Sequence, residues 1–400
     1  MDYNDKGKSP FYPGQPVPID FFTGRLAQVE RISRSLIQTE NGKPQAIFLS
    51  GEYGIGKSSL AGFTKYLAER KNHLLGIHVL LGGINRVEDL ASKVVETILR
   101  EQIIKERTGE KIKNALSKYV GKQELFGFSI NFDALNSDSL NISKGFLPFL
   151  SSLYEKVKED NIKGIYLIFD EVNGIAKNPN FSHFIKSLVD DNALSRRPLP
   201  LMLMVCGIEE RRSEMIREHP PIERIFDIID IEPMSNEEMK EFYRKTFRSV
   251  NIEIEQEALK MICHYASGYP KIMHIIGDTL FWNENDNLIS KQDAIDGIFQ
   301  SAEEIGRKFV NEQVLKALHS KDYKSILGRV VETPILTFKK VEIEKKLTLV
   351  EKKKFHNFLQ RMKKLNAIKS SERGEYEFNN RMVPLYLYLN QINQQKIKGK

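Results

Sequence analysis

The sequence predicts an α/β domain with a parallel sheet covered by helices on both faces, then an all-α lid and a C-terminal winged-helix domain. Three observations predict this order. Short apolar runs alternate with helical patterns up to about residue 234, which indicates a mostly parallel sheet. Helical patterns alone continue to about residue 306. After that, three helical patterns precede two short strands joined by a glycine-containing turn, the outline of a winged helix.

Length and composition narrow the class of protein. A chain of 400 residues suggests two or three domains, and its 41% hydrophobic and 28% charged residues are typical of globular proteins. No apolar run approaches the ~20 residues that a membrane span needs, and the first residues given lack the basic-then-apolar pattern expected of a secretory signal. The two cysteines, Cys206 and Cys263, predict neither a disulfide framework nor a zinc site. We therefore expect a cytoplasmic protein without membrane contact.

Charge is distributed unevenly along the chain. Residues 301–400 contain 22 Lys/Arg and 11 Asp/Glu, a net charge of +11. Residues 1–300 contain 38 Lys/Arg and 42 Asp/Glu, a net charge of −4. A basic C-terminal domain on a slightly acidic body indicates an anionic partner, and a merely solvated lysine-rich surface is the alternative.

The most specific motif is a phosphate-binding loop. Residues 51–58, GEYGIGKS, match G-x-x-x-x-G-K-[ST]. The apolar run 46–50 predicts a buried strand before it, and residues 59–67 predict a helix whose N-terminus faces the anion. Lys57 is expected to add charge at the β- and γ-phosphates, and Ser58 to ligate Mg²⁺. The expected nucleotide contacts in this segment are Gly51, Tyr53, Gly54, Ile55, Gly56, Lys57, Ser58 and Ser59.

A second apolar run ends in paired acids. Residues 165–169 predict a buried strand, and Asp170 and Glu171 follow it directly. Ligands of open α/β sheets bind at the carboxyl edge, where this strand delivers both carboxylates. We expect Asp170 to hold Mg²⁺ through water, and Glu171 to orient and deprotonate the attacking water.

The remaining patterns divide the chain. The predicted parts are an extended, proline-rich N-terminal arm (1–20), the α/β ATPase domain (21–234), the helical lid (235–306) and the basic winged-helix domain (307–400). In the second part, residues 125–132 alternate and predict an added strand or hairpin. Ser235 and Glu238 predict a capping box at the start of the lid. In the last part, the helical patterns lie near residues 314–331, 338–346 and 350–365.

With these motifs, the chain resembles the AAA+ and STAND P-loop ATPases, in particular archaeal-type ATPases and origin-recognition replication initiators, over roughly residues 20–390. Lys57 and Ser58 match the Walker A motif, and Asp170 and Glu171 match Walker B. Residues 22–25, FTGR, match an F-x-G-R element, which implies contacts of Gly24 and Arg25 with the adenine and ribose; an ordinary glycine turn before a helix is the alternative.

The resemblance also implies further catalytic residues. Arg224, before the fifth strand, stands where these families often carry an arginine finger, and such a finger would imply assembly into a homo-oligomer. A surface ion pair is the alternative, and Arg211, Arg212 and Arg217 also precede this strand. Residues 268–271, GYPK, are similar to the G-x-P of STAND proteins, so Pro270 is implied in nucleotide binding and Lys271 takes the place of the second-sensor arginine. Cys206 and Gly207 lie near the first-sensor position and are poor groups for orienting water, which implies slow hydrolysis. Lys271 offers a point charge instead of a planar guanidinium, which is not a conservative change.

The implied function is a nucleotide-dependent switch that binds ATP and Mg²⁺, and two outputs stay open. The first is double-stranded DNA, bound through basic residues around the third helical pattern and in the wing: Lys352, Lys353, Lys354, Arg361, Lys363, Lys364 and Arg373. The second is a protein partner, as in signalling STAND proteins, with Phe355, Phe358 and Leu359 forming a core and the lysines only solvated. A metabolic kinase is disfavoured because the sequence shows no recognisable pocket for a substrate that would accept the phosphate.

Overall fold

The computed structural model describes residues 6–100, 139–365 and 367–398. The chain divides into two compact units. The sheet unit is Pro16–Glu232, and the helical unit contains the described residues from 6 to 15 and from 233 onward. The strand or hairpin predicted at residues 125–132 lies outside the described residues. In the described part of the chain, no helix is long and apolar enough to cross a membrane.

The sheet unit is built from strands β1 to β5 and helices α1 to α6. In the described part, the strands lie in the order β2-β3-β4-β1-β5, and every neighbouring pair is parallel. This confirms the predicted α/β P-loop NTPase fold class. The strands are β1 (Gln45–Gly51), β2 (Leu74–Leu80), β3 (Gly164–Asp170), β4 (Leu201–Gly207) and β5 (Asp227–Ile231). The helices are α1 (Leu26–Glu40), α2 (Lys57–Lys71), α3 (Val87–Arg100), α4 (Ser139–Val157), α5 (Pro179–Ala193) and α6 (Glu209–Glu218).

The sheet order determines which side chains meet at its carboxyl edge. Strands β3 and β4 are buried along their whole length, as expected of central strands covered on both faces. Strand β2 pairs with β3 so that Leu80 lies beside Asp170. The loop after β1 therefore opens at the same edge as the end of β3, with β4 between them.

The helical unit begins with helices around an apolar core. Its first elements are α7 (Asn236–Arg248), β6 (Glu253–Ile254), α8 (Gln256–Ala266), α9 (Pro270–Asn283), β7 (Leu288–Ile289) and α10 (Lys291–Ile305), followed by a π-helical segment, Gly306–Leu315. The predicted capping box of α7 is confirmed. Glu238 N–H donates to Ser235 Oγ at 3.2 Å, and Ser235 N–H donates to Glu238 Oε2 at 2.8 Å.

The rest of the helical unit has the element order of a winged helix. It contains α11 (Lys321–Val330), β8 (Thr337–Lys339), α12 (Lys340–Lys346), α13 (Leu349–Lys364), β9 (Ile368–Glu372), β10 (Glu375–Phe378) and α14 (Met382–Lys398). Strand β10 pairs antiparallel with both β8 and β9. Two predicted helix starts were too early. The first pattern includes the end of the π-helical segment, and the second includes Phe338, which lies in β8.

The first described residues pack into the core of the helical unit. Phe11 is 4% exposed, and its ring lies 4.9 Å from that of Phe247 and 6.0 Å from that of Phe242. A Cβ at Gly277 would meet the Phe11 ring at 2.2 Å, so only glycine allows this approach. Tyr12 N–H donates to Nδ1 of His274 at 3.1 Å. These contacts place the proline-rich N-terminal segment against helix α9.

Candidate functional site

Glycines shape the loop that joins β1 to α2. Gly54 and Gly56 have φ values of 76° and 100°, in the left-handed region that glycine adopts without strain. A Cβ at Gly51 would lie 2.9 Å from the Ile55 side chain and 3.1 Å from the Ile231 carbonyl oxygen. The loop therefore packs closely on the end of β5. It leads directly into the N-terminus of a 15-residue helix, where backbone N–H groups attract anions.

The ammonium group of Lys57 lies across this loop. Its Nζ atom donates to the carbonyl oxygens of Gly51 at 2.7 Å and Glu52 at 2.8 Å. It also lies 5.7 Å from the centroid of the exposed Tyr53 ring. Burial lowers the pKa of Lys57 below its ordinary value, and the negative charge of Asp170 offsets only part of this shift. A phosphate entering the loop can replace the carbonyl oxygens as the acceptor of these hydrogen bonds.

Asp170 is buried at the end of β3 and is only 1% exposed. His78 Nε2 lies 3.1 Å from Asp170 Oδ2, and Glu171 N–H donates to Oδ1 at 2.8 Å. Burial raises the pKa of this carboxyl group, but hydrogen bonds from His78 and Ser58 outweigh it and hold the pKa below its ordinary value. An ionised carboxylate thus lies in hydrogen-bond contact with the Ser58 hydroxyl. Hard oxygen donors of this kind suit Mg²⁺.

Glu171 adopts an uncommon backbone conformation, with φ of 58°. Its carboxylate rests against Gly82, where a Cβ would lie 2.4 Å from Glu171 Oε2. The absence of a side chain at Gly82 therefore makes room for the predicted base. Sequence reasoning missed both Gly82 and His78. The signal that could have found them is the pairing of β2 with β3, which cannot be read from either segment alone.

Arg25, at the start of α1, contacts the phosphate loop. The residue is 7% exposed, and its guanidinium donates to the carbonyl oxygen of Ile55 at 3.1 Å and to that of Glu232. It thereby ties the loop to the segment after β5. Gly24 precedes it with φ of 76°. The ring of Phe22 stacks on Phe63 of α2, with centroids 4.3 Å apart.

The residues near the end of β4 offer little catalytic chemistry. Cys206 is fully buried, and burial raises the pKa of its thiol well above the ordinary value. Gly207 follows without a side chain, and a Cβ there would meet Phe48 and Val172 at 3.1 Å. Ser59, by contrast, lies at the start of α2 and accepts a hydrogen bond from Val17 N–H at 3.2 Å.

Other predicted catalytic residues lie away from the loop or in the other unit. Arg224 is exposed in a 3₁₀ turn, Pro220–Ile225, just before β5. Pro270 and Lys271 form the first turn of α9 in the helical unit. Lys271 is half-buried, and burial followed by the charge of Lys308 lowers its pKa.

The predicted nucleic-acid residues lie on α13 and the hairpin after it. Lys352 and Lys353 are exposed near the start of α13, and Lys364 is exposed at its end. Lys354 forms an ion pair with Asp322. The other contacts are those of Arg361 Nη2 with the Ala317 carbonyl oxygen at 3.4 Å and Lys363 Nζ with Ser370 Oγ at 3.1 Å, while Arg373 is exposed in the turn between β9 and β10.

Comparison with known proteins identifies the fold. No family model matches the chain, and no curated protein matches it. Among solved structures, the chain is similar to a Walker-type ATPase of Pyrococcus abyssi, with 17% identity, a TM-score of 0.60, and coverage of 92% of this chain and 96% of that one. It is also similar to the Aeropyrum pernix ORC2 protein in its ADPNP–ADP complexes, with 13% identity, a TM-score of 0.59, and coverage of 94% and 96%. The chain has the fold of ORC-like, Walker-type P-loop ATPases.

Proposed function

We propose that the chain binds Mg-ATP at the loop between β1 and α2, hydrolyses it slowly, and uses its nucleotide state to control DNA binding by the winged helix. The observation that carries the first part is the meeting of Ser58 and ionised Asp170 at the edge where Lys57 crosses the loop. The shared fold with a protein solved in ADPNP–ADP complexes supports the same class of ligand.

The chemistry assigned to each side chain follows from its position. Lys57 and the loop N–H groups neutralise charge on the phosphates, and Ser58 and Asp170 would hold Mg²⁺. The ion, when bound, polarises phosphoryl oxygens as a Lewis acid. Glu171 orients the attacking water and accepts its proton. The thiol of Cys206 is fully buried and is a poor group for orienting this water, which supports slow turnover.

Two further roles stay predictions. Arg224, on its exposed turn, is proposed as a finger that reaches the nucleotide of a second copy of the chain. Lys271 is proposed as the sensor of the γ-phosphate. Both would contribute to turnover more than to ATP affinity, because fingers and sensors act mainly on the transition state.

Replacing Glu171 with glutamine tests the ATPase assignment. The amide keeps the size of the side chain but cannot accept a proton, so ATP should stay bound and uncleaved. Isothermal titration with ATP and Mg²⁺ measures binding, and phosphate release measures turnover. Glu210→Gln, at an exposed position on α6, is the matched control. Normal turnover in Glu171→Gln would remove Glu171 as the base.

DNA binding is supported by charge and exposure. Residues 301–400 carry a net charge of +11, and Lys352 and Lys353 project from the exposed side of α13. Each lysine that neutralises a phosphate contributes about −0.9 to the slope of log affinity against log salt. Changing both to glutamate should therefore reduce the slope by about 1.8. An unchanged slope would place the contact elsewhere.

A protein partner is the second candidate, and one observation favours it. Val341, Leu349 and Val350 are 63%, 80% and 56% exposed on α12 and α13. Phosphate contacts need no apolar side chains, whereas protein interfaces commonly use them. Under this proposal, duplex DNA leaves both ATP binding and turnover unchanged, and Leu349→Ser weakens capture of the partner without altering nucleotide affinity.

A further inference from the structure

A groove on the helical unit lies apart from the winged-helix surface considered above. It runs between α7 and α8, has a volume of about 700 Å³, and is open to solvent. A second depression of about 470 Å³ adjoins it, because Lys260 lines both. The second depression continues to residues of the winged helix, among them Lys369 and Arg381.

Basic residues are concentrated in this groove. Residues 235–306 contain 7 Lys/Arg and 13 Asp/Glu, so this segment is acidic as a whole. Nevertheless, the first depression alone holds five of those seven cations and only two of the acids, Glu237 and Glu241. The cations are Lys240, Arg244, Lys245, Arg248 and Lys260. Such segregation is not expected of a surface whose charges serve only solubility.

Some of these cations are partly neutralised by neighbours. Lys240 pairs with Glu237 at 3.2 Å, Lys260 with Glu257 at 2.7 Å, and Arg248 with Glu253 at 3.9 Å. Arg248 and Lys260 are exposed, and Lys240 is half-buried beside the exposed Glu237, so these pairs contribute little and exchange readily.

Arg244 and Lys245, in contrast, form no ion pair with any residue that the structure describes, and both are exposed. They are the cations whose charge is most available to a ligand.

The spacing of the cations suits a linear polyanion. Lys240, Arg244 and Arg248 recur at every fourth residue of α7, so they form one row with steps of about 6 Å along the helix axis. The opposite side of α7 is fixed by packing, since Phe242 and Phe247 are buried against Phe11. The row is therefore held on a rigid element. One guanidinium group can donate two parallel hydrogen bonds to two oxygens of a phosphate. The arginines of the row therefore favour a ligand with a row of phosphate groups.

The lining also disfavours an acidic peptide. Among the described residues that line the first depression, Leu259 is the only one with an apolar side chain, and it is 1% exposed. These residues offer a peptide no apolar pocket for a side chain, and such pockets supply much of the affinity at protein interfaces. The same described lining contains no aromatic ring on which a base could stack, so contacts there would be independent of sequence.

We infer that this groove binds the phosphate backbone of duplex DNA, as a second contact besides α13. The inference rests on the proposed DNA-binding function. The groove supplies sequence-independent affinity and holds the duplex in register, in addition to the proposed phosphate contacts of Lys352 and Lys353 on α13. Phosphate contacts in the groove would make the slope of log affinity against log salt steeper.

The test compares two double variants of the full chain. Arg244→Glu with Lys245→Glu reverses the two unpaired cations of the groove. Lys43→Glu with Lys291→Glu makes the same change in net charge at exposed positions outside the groove and the winged helix. Binding of a fluorescent duplex of mixed sequence is measured over a range of salt concentrations. Thermal unfolding and ATP titration check that both variants fold.

The groove variant should lose affinity and reduce the slope of log affinity against log salt by about 1.8, for two phosphate contacts. The control should change the slope by much less. If the groove variant behaves like the control while wild-type protein binds DNA, the inference is overturned and the proposed function stands. If wild-type protein does not bind duplex DNA, both are overturned. In a competition experiment, polyglutamate is added at the same concentration of charges as the duplex. If it displaces the DNA, the inference of a phosphate-binding groove is overturned in favour of an acidic protein as the ligand.

Discussion

Replacing His78 with alanine tests how the sheet prepares Asp170 for magnesium. His78 stands on β2, and its Nε2 atom lies 3.1 Å from Asp170 Oδ2. Asp170 is 1% exposed, so water cannot easily replace the lost donor. Without His78, the carboxylate keeps the Glu171 N–H and Ser58 donors but loses the contact at Oδ2, so its orientation is held less firmly. The contact is one of positioning, because His78 acts on the metal only through Asp170.

The expected magnitude follows from the kind of hydrogen bond that is removed. A hydrogen bond to a charged group contributes about 1.5–3 kcal/mol, which is about 10- to 150-fold in an equilibrium constant. Loss of a partner behind a metal ligand typically lowers metal affinity by about 10- to 100-fold. We therefore expect the Mg²⁺ concentration at half-saturation to rise by about 10- to 100-fold. Binding of metal-free ATP should change little, because the Lys57 contacts are untouched.

The assay titrates Mg²⁺ into protein with a fluorescent ATP analogue. His78→Gln is the informative companion, since its amide can still donate to the carboxylate and should restore part of the Mg²⁺ affinity. His73→Asn, at an exposed position before β2, controls for the loss of an imidazole. The reasoning is refuted if His78→Ala and wild-type protein show the same Mg²⁺ dependence.

Three other perturbations test separate parts of the account. Lys57→Ala should lower ATP affinity by at least about 10-fold, since charge-assisted hydrogen bonds contribute about 1.5–3 kcal/mol; calorimetry showing full affinity would exclude the loop as the phosphate site. Phe11→Ala should destabilise the helical unit by about 3–5 kcal/mol through loss of a buried ring, and urea unfolding with an unchanged midpoint would contradict the packing of the arm. Burial lowers the pKa of His274 to about 4, below its ordinary value, so the unfolded chain takes up this proton first. The free energy of unfolding should therefore be largest above about pH 6.5, and it should fall by up to about 3 kcal/mol as the pH decreases to about 4. The His274→Gln variant should lose less unfolding free energy than wild-type protein over this pH range. Equal pH profiles of the two proteins would contradict the assignment to His274.

The sequence was most informative where the chemistry is local. The phosphate loop spans eight consecutive residues, and its glycines, Lys57 and Ser58 carry their meaning in their spacing. Asp170 and Glu171 were predicted because a buried strand ends directly before them. The capping box at Ser235 was predicted for the same reason, since both partners lie within one helical turn.

Contacts between distant segments could not be predicted in the same way. The contact between Asp170 and His78 joins residues 92 positions apart, and it becomes visible only when β2 is known to pair with β3. Arg25 was expected beside the nucleotide, yet its guanidinium also bonds the carbonyl oxygen of Ile55, a contact with no sequence signature. Phe11 lies in a proline-rich segment that indicates an extended arm. Its packing against Gly277 requires the absence of a side chain there, which the sequence of a helix does not reveal.

In the proposed function, ATP binding and DNA binding are coupled in one chain. Mg²⁺-dependent ATP hydrolysis, measured with and without duplex DNA at low and high salt, tests this coupling. We expect slow basal turnover that duplex DNA stimulates at low salt, with the stimulation lost at high salt as the phosphate contacts weaken. ATP binding with turnover that is indifferent to DNA at both salt concentrations would show that the two activities are not coupled.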